Sequence, residues 1–189
     1  FDKNDPACKI WLDLLRETTP EKDARRVKWY IYSTGIDQNC TVLPILQLVG
    51  GGSNGKSVEI DNIMITLGED YAVKLTSNLL LGKVKSGQAD NDLMQMKGKN
   101  IGFICETDQT DVIVASRLKT ISEAIKTGRK NYGDPENFQT NCTVVIATNF
   151  ALNIVDTDYG TFRRTYVYHQ PFKFVPKPNP KYTNEKKRD

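Results

Sequence analysis

At 189 residues the chain is long enough for one domain with a real core and hardly long enough for two. Its composition, 39% apolar and 26% charged, is ordinary for a globular chain, and no apolar stretch reaches the length of a membrane span. A net charge of +3 is too small to argue for nucleic acid by itself.

The chain opens FDKNDPACK, with no basic region leading into an apolar one, so no signal peptide is expected. It starts with Phe1 and stops in Lys186-Lys187-Arg188-Asp189, and it reads as a domain cut from something longer. Ile10, Trp11, Leu14 and Leu15, then Val27, Tyr30 and Ile31, recur at helical spacing, which predicts helix from Pro6 to Ile36 with a break at Thr19-Pro20-Glu21. Gly35 to Asn39 is a turn cluster. VLPILQLV (Val42 to Val49) is a short continuous apolar run ending in glycines, as a strand buried on both faces of a parallel sheet requires. A helix from about Lys56 to Leu67 follows, with Gly68 as its stop, then a strand from Tyr71 to Leu75. Gln88 to Met96 reads as helix, Ile101 to Cys105 as a second buried strand, and Val112 to Ile125 as helix. Gly128 to Thr140 is polar, with Gly133-Asp134-Pro135-Glu136 at its tip, which suggests a hairpin. Thr143 to Thr148 is a third buried strand, and Phe162 to Tyr168 a last, weaker one. Beyond Pro171 prolines and lysines predict a linker or tail. Strands alternating with helices predict an α/β domain with a largely parallel sheet.

Cys8, Cys40, Cys105 and Cys142 are not paired at metal-ligand spacing, and His169 is the single histidine, which argues against zinc. Cys105 and Cys142 sit inside apolar runs, where a reduced thiol acts as a small hydrophobe, so a reducing, intracellular setting is expected. Lys83, Lys85, Lys97 and Lys99 flank one segment; Lys119, Lys126, Arg129 and Lys130 cluster in another. Composition alone reads such clusters as solvated faces.

Four elements carry chemistry. Gly50-Gly51-Gly52-Ser53-Asn54-Gly55-Lys56-Ser57 fits G-x-x-x-x-G-K-[ST], between a strand and a helix. Its glycines let the backbone wrap a phosphate, the helix adds its positive end, Lys56 reaches the β- and γ-phosphates, and Ser57 holds Mg²⁺. Glu106, just past the second buried strand, is the preferred carboxylate for the Mg²⁺ shell and for polarising water, with Asp108 as the second choice. Asn149, at the end of the third buried strand, is an uncharged amide able to bond a γ-phosphate or the lytic water. Arg163 and Arg164 are read equally as a surface pair bonding Asp156 or Asp158, or as arginines supplied to a neighbour's phosphoryl group.

In this order and spacing the four elements resemble superfamily 3 helicases of the AAA+ class, above all the helicase-primase NTPases of large DNA viruses and related phage and plasmid primases. The phosphate loop of that family commonly reads like GGGSNGKS; Cys105-Glu106-Thr107 is similar to its acidic motif, Ala147-Thr148-Asn149 to its third motif, and Arg163-Arg164, with Pro171-Phe172, to its arginine motif. Trp11 to Leu15 and Trp29 to Asn39 resemble its helical lead-in, and Leu93 to Asn100 its approach to the acidic strand, so the likeness covers nearly the whole chain. One segment departs: Lys119 and Arg129 with Tyr132 fit, but Ser122-Glu123-Ala124 stands where the family usually has Gly-Gly-Asp.

The resemblance implies an AAA+ type core with a central, mostly parallel five-stranded sheet flanked by helices. It divides the chain into a helical lead-in (1–40), an ATPase core (41–172) and a Pro/Lys-rich tail (173–189). It implies ATP with Mg²⁺ as ligands, a ring, expected to be a homohexamer, with an arginine reaching the neighbour's ATP, and a primase domain in the same full-length chain. The hairpin from about Ile125 to Gln139 would track single-stranded DNA, with Lys119, Lys126, Arg129 and Lys130 on phosphates and Tyr132 against a base. A small-molecule kinase and a non-catalytic nucleic-acid or assembly module stay open as alternatives.

Overall fold

The continuous apolar runs become the buried strands of one sheet. In the computed structural model, residues 5–36, 43–81, 90–105, 107–155 and 158–188 are described. Two helices lead in, α1 (Pro6–Thr18) and α2 (Lys22–Ser33), broken at Thr19-Pro20. The five sheet strands are β1 (Ile45–Val49), β2 (Ala72–Leu75), β3 (Ile101–Cys105), β7 (Thr143–Thr148) and β9 (Thr165–His169), in the order β2-β3-β7-β1-β9, all parallel. β1, β3 and β7 are buried along nearly their whole length and mostly apolar, with Gln47, Thr143 and Thr148 the buried polar residues among them, as inner strands of a parallel sheet are. Two apolar clusters result. One packs Leu15, Ile31, Leu46, Leu48, Ile60 and Phe103 with the lead-in and the helix after β1; the other packs Leu79, Met96, Ile104, Ile113, Leu118 and Ile146.

β1 runs through the Gly50–Ser57 loop into α3 (Lys56–Tyr71), whose regular geometry breaks at Gly68 (φ 71°, ψ 173°), the expected stop. A single 3₁₀ turn at Ser77–Leu80 follows β2. The predicted helix over 88–96 is the short α4 (Asn91–Met94), begun by the Asp90 carboxylate accepting from the Leu93 amide at 3.1 Å.

The predicted helix from Val112 to Ile125 is instead three elements: β4 (Val112–Val114), α5 (Ala115–Ile121) and the start of β5 (Ile125–Gly128). Val112-Ile113-Val114 is a run of β-branched residues, stiff at χ1, and it finds a partner in β8 (Asn153–Val155). The expected hairpin is present: β5 pairs antiparallel with β6 (Glu136–Gln139). The short helix α6 (Tyr159–Phe162) precedes β9. The segment expected as a linker or tail carries two strands, β10 (Lys173–Val175) and β11 (Glu185–Lys187), paired in parallel. Their pairing partners lie outside any local pattern, so prolines and lysines alone read as linker.

Candidate functional site

Because β7 lies between β1 and β3, the C-terminal ends of these three strands form one edge. Val49 is level with Thr148, and Cys105 with Ala147. The glycine-rich loop, Asn149 and Thr107 therefore meet there. The Gly50 amide donates to the Thr148 carbonyl at 3.1 Å, and the Thr107 and Thr148 hydroxyls bond at 2.9 Å, which ties the edge together.

The loop turns through three residues in the left-handed region: Gly52 (φ 95°), Ser53 (φ 53°) and Gly55 (φ 85°). A side chain at Gly50 would collide with the Asn54 side chain at 2.2 Å, whereas Cβ atoms at Gly51 and Gly52 would meet nothing within 4 Å. Asn54 is buried and anchors the loop from inside, so the loop's outer wall at Gly51 and Gly52 is bare backbone. Below it the first amides of α3, a helix of 16 residues, have no intrahelical acceptors and carry the positive end of the helix dipole.

Lys56, 8% exposed, points its ammonium back into the loop, donating to the Gly50 carbonyl at 2.5 Å and to Asn54 Oδ1 at 2.8 Å. Its third contact is Asn149 Oδ1 at 3.4 Å. Burial pulls the Lys56 pKa below its ordinary value. Two residues far apart in the chain thus place a cation and an uncharged amide side by side at the head of α3. Ser57 and Asp108 are exposed at the same edge, and the Asp108 amide donates to Asp111 Oδ2 at 2.9 Å. Glu106, like Lys83, Lys85 and Asp156, lies outside the described residues.

The donor set fits a magnesium-bound polyphosphate: a buried ammonium, an uncharged amide, bare backbone at a helix start, and a hydroxyl at Ser57.

Behind the loop lies a polar cluster that no sequence pattern flagged. Glu59, fully buried one turn into α3, accepts from Lys28 of α2 at 2.6 Å, from the Tyr32 hydroxyl at 2.6 Å and from Gln170 Nε2 at 3.3 Å. Lys28 also donates to Thr19 Oγ1 at 2.9 Å, and burial holds its pKa down against the pull of Glu59. A buried Lys on a helix of polar composition has the same sequence signature as an exposed one.

Arg163 and Arg164 follow α6, at the opposite edge of the sheet: the Arg164 carbonyl accepts from the Ile45 amide at the start of β1. Neither arginine is ion-paired among the described residues; Arg164 Nη1 donates to the Gly160 carbonyl at 2.7 Å. The carboxylate of Asp158 is taken by Lys119 at 2.5 Å, and this bond, followed by the Thr161 amide, holds its pKa down to about 2. Lys119 is therefore half-buried and paired rather than offered freely to an anion.

The hairpin places the other expected cations unequally. Lys126 is 2% exposed, donates to the Glu123 carbonyl and is pushed down to about 8 by burial, which corrects its assignment as a phosphate contact. It falls on the inward face of a strand whose alternation the polar composition hid. Arg129 is half-buried, with Nε unpartnered among the described residues; Lys130 and Tyr132 stand exposed at the tip. No helix among the described residues is long and apolar enough to cross a membrane.

The fold is a mixed α/β one, with a five-stranded parallel sheet flanked by helices, a glycine-rich loop after the inner strand β1 and a polar pair at the sheet edge. The chain belongs to the family described as DUF5906, a family of unknown function, whose model matches residues 48–164. It is 34% identical over 191 aligned positions to a protein of African swine fever virus that carries the name of a primase, spanning all of this chain and 20% of that protein. It is 27% identical over 177 positions to a protein of Acanthamoeba polyphaga mimivirus that carries the name of a helicase, spanning 93% of this chain and 18% of the other. The chain thus spans about a fifth of the length of these relatives. Its fold is similar to the C-terminal region of NrS-1, with TM-scores of 0.59 and 0.61 at 18% and 17% identity, over 86% of this chain and 37% and 38% of the other.

Proposed function

We propose that this chain is the ATP-hydrolysing motor module of a viral helicase-primase, moving on single-stranded DNA to unwind duplex. The observation that carries the reading is the 3.4 Å approach of the Lys56 ammonium to Asn149 Oδ1 at the start of α3. The names carried by the viral relatives supply the context of replication.

In this reading Lys56 exchanges its internal acceptors, the Gly50 carbonyl and Asn54, for the β- and γ-phosphate oxygens. A polyphosphate beside the ammonium draws its lowered pKa back up, so anion binding and full charge on Lys56 favour each other. Ser57 and Glu106 would hold Mg²⁺, which neutralises charge on those oxygens. Glu106, or Asp108 beside it, takes a proton from the attacking water, and Asn149 orients that water or the γ-phosphate without adding negative charge.

Arg163 and Arg164 sit at the start of β9, level with the start of β1, while the loop sits at the end of β1. Five strand residues separate the two edges, about 16 Å at roughly 3.3 Å per residue. An arginine acting on the phosphoryl group therefore comes from a second copy, as in a ring, a homohexamer being the expected size. Exposed Tyr159 and Phe162, at 81% and 66%, flank those arginines with apolar surface suited to a neighbour. The hairpin tip, with Arg129, Lys130 and Tyr132, is the DNA-tracking element.

Lys56→Ala is expected to lower DNA-stimulated ATP hydrolysis by about a hundredfold or more while circular dichroism and melting stay native. Unchanged turnover in that variant sinks the motor assignment.

A further inference from the structure

We propose that the β10–β11 module is a positioning strap for the glycine-rich loop, acting through one backbone hydrogen bond from the Phe174 amide to the Ser53 carbonyl. That bond is 2.7 Å long. β10 uses its two edges for different partners. On one edge the Lys173 amide donates to the Asn184 carbonyl and the Val175 carbonyl accepts from the Arg188 amide, both at 2.8 Å, which holds β11 in place. The intervening residue, Phe174, faces the other edge and meets the loop.

Ser53 is where the loop most needs an outside hold. It is a non-glycine residue with φ 53°, between Gly52 and Gly55 at φ 95° and 85°. Such a conformation costs about 1 kcal/mol and persists where the surroundings impose it. A trans peptide is planar, with its C=O and the following N–H pointing in opposite directions. Fixing the Ser53 carbonyl toward Phe174 therefore fixes the Asn54 N–H toward the side away from the strap. Asn54 is also the residue whose side chain takes the Lys56 ammonium and packs on Gly50. One hydrogen bond thus sets the loop's central peptide and the side chain that steers its lysine.

The Phe174 ring adds a wall. A Cβ placed on Gly55 would stand 3.9 Å from Phe174 Cε2 and 2.8 Å from Thr18 Cγ2, so the strap and the end of α1 flank the last glycine together. Lys186 of β11 lies 3.7 Å over the Phe172 ring and locks the module onto the chain entering β10.

This inference rests on the proposal that the loop binds nucleotide phosphate, and the test separates the two. In the intact protein, Phe174→Ala keeps the amide and removes the ring; Phe174→Pro removes both. An amide-to-ester exchange at position 174, made by nonsense suppression with the α-hydroxy acid of phenylalanine, removes the N–H and keeps the ring. Two quantities are read: the affinity of a fluorescent ATP analogue with Mg²⁺, and nucleotide-free hydrogen exchange of the peptide holding residues 50–57. The ester is expected to bind the analogue roughly three- to tenfold more weakly than the parent, the equivalent of one net hydrogen bond, and to exchange its loop amides faster. Phe174→Pro is expected to be weaker than Phe174→Ala by a similar factor. An ester protein that binds and exchanges like the parent overturns the strap, and it decides the matter if Phe174→Pro does not fold. If the parent itself binds no nucleotide, the phosphate reading falls, while the exchange comparison still judges whether the strap holds the loop.

Discussion

Lys126 shows how far a single residue's role depends on which face of a strand it occupies. Its ammonium is buried on β5 beside Cys142, whose thiol burial pushes up to about 12. Burial pushes Lys126 down to about 8 from an ordinary 10.5. Between those two values the unfolded chain holds a proton that the folded chain has released, so this residue makes stability rise with pH across that window. Below about pH 8 both states are charged, and the fold bears the cost of an ammonium out of water. Lys126→Met is therefore expected to stabilise the protein at pH 7 by about 1–3 kcal/mol. The gain over the parent should shrink as pH rises from 8 toward 10.5. Urea unfolding of both proteins at four pH values in that range measures it, and comparing the two cancels the opposing titrations of tyrosines. A gap independent of pH means that the Lys126 ammonium is not desolvated.

Among the elements, the β5–β6 hairpin combines a turn whose backbone is moored to the chain at Asp90 and Asn91 with bare side chains at its tip. The Arg129 carbonyl accepts from the Asp90 amide at 2.9 Å, the Asn131 amide donates to Asn91 Oδ1 at 3.1 Å, and Lys97 pairs with Glu136 at 2.7 Å. Phe138 is buried at the base, 5% exposed, while Tyr132 is fully exposed in a left-handed conformation (φ 62°). An aromatic in that position packs on nothing among the described residues, and a base is the flat partner that the proposed function supplies. Tyr132→Ala is expected to weaken single-stranded DNA binding by about 1–3 kcal/mol, some five- to hundredfold, with melting unchanged. Lys130→Ala should instead weaken binding evenly across sequences and reduce the slope of log affinity against log salt by about one. Fluorescence anisotropy with labelled oligonucleotides at several salt concentrations distinguishes these effects. Parental affinity in Tyr132→Ala would remove the stacking role.

At the scale of the whole molecule, legibility followed the range of the interactions. Strands β1, β3 and β7 could be read from sequence because burial on both faces writes an apolar run into each. The turn from β1 into α3 was legible because its glycines mark a sharp change of direction, and Gly52 and Gly55 do take positive φ there. The three-residue strands β4 and β8 were not, since each exists only through a partner far along the chain, and neither were β10 and β11, short strands set among prolines and lysines. The strap's bond from Phe174 is donated by a backbone amide and leaves no side-chain signature at all.

The Lys28–Glu59 pair has the same long-range character and ties the lead-in helix α2 to α3, the helix that follows the glycine-rich loop. Lys28 and Glu59 are 1% and 0% exposed and 2.6 Å apart, with the Tyr32 hydroxyl on the same carboxylate oxygen as the ammonium. The Lys28 ammonium also lies 5.6 Å from the Tyr168 ring centre, so α2, α3 and β9 meet at one charge. Removing one member leaves the other buried without its counter-charge, whereas removing both removes that conflict. Lys28→Met is expected to destabilise the protein by about 3–5 kcal/mol. Glu59→Gln, which keeps an oxygen for Tyr32, should destabilise it too by stranding the ammonium. The double variant should be more stable than the sum of the two losses predicts by about 1–3 kcal/mol. Urea unfolding of the four proteins closes the cycle. Strict additivity would mean that the Lys28 ammonium and the Glu59 carboxylate do not stabilise each other, leaving the Tyr32 hydroxyl and apolar packing to join α2 and α3.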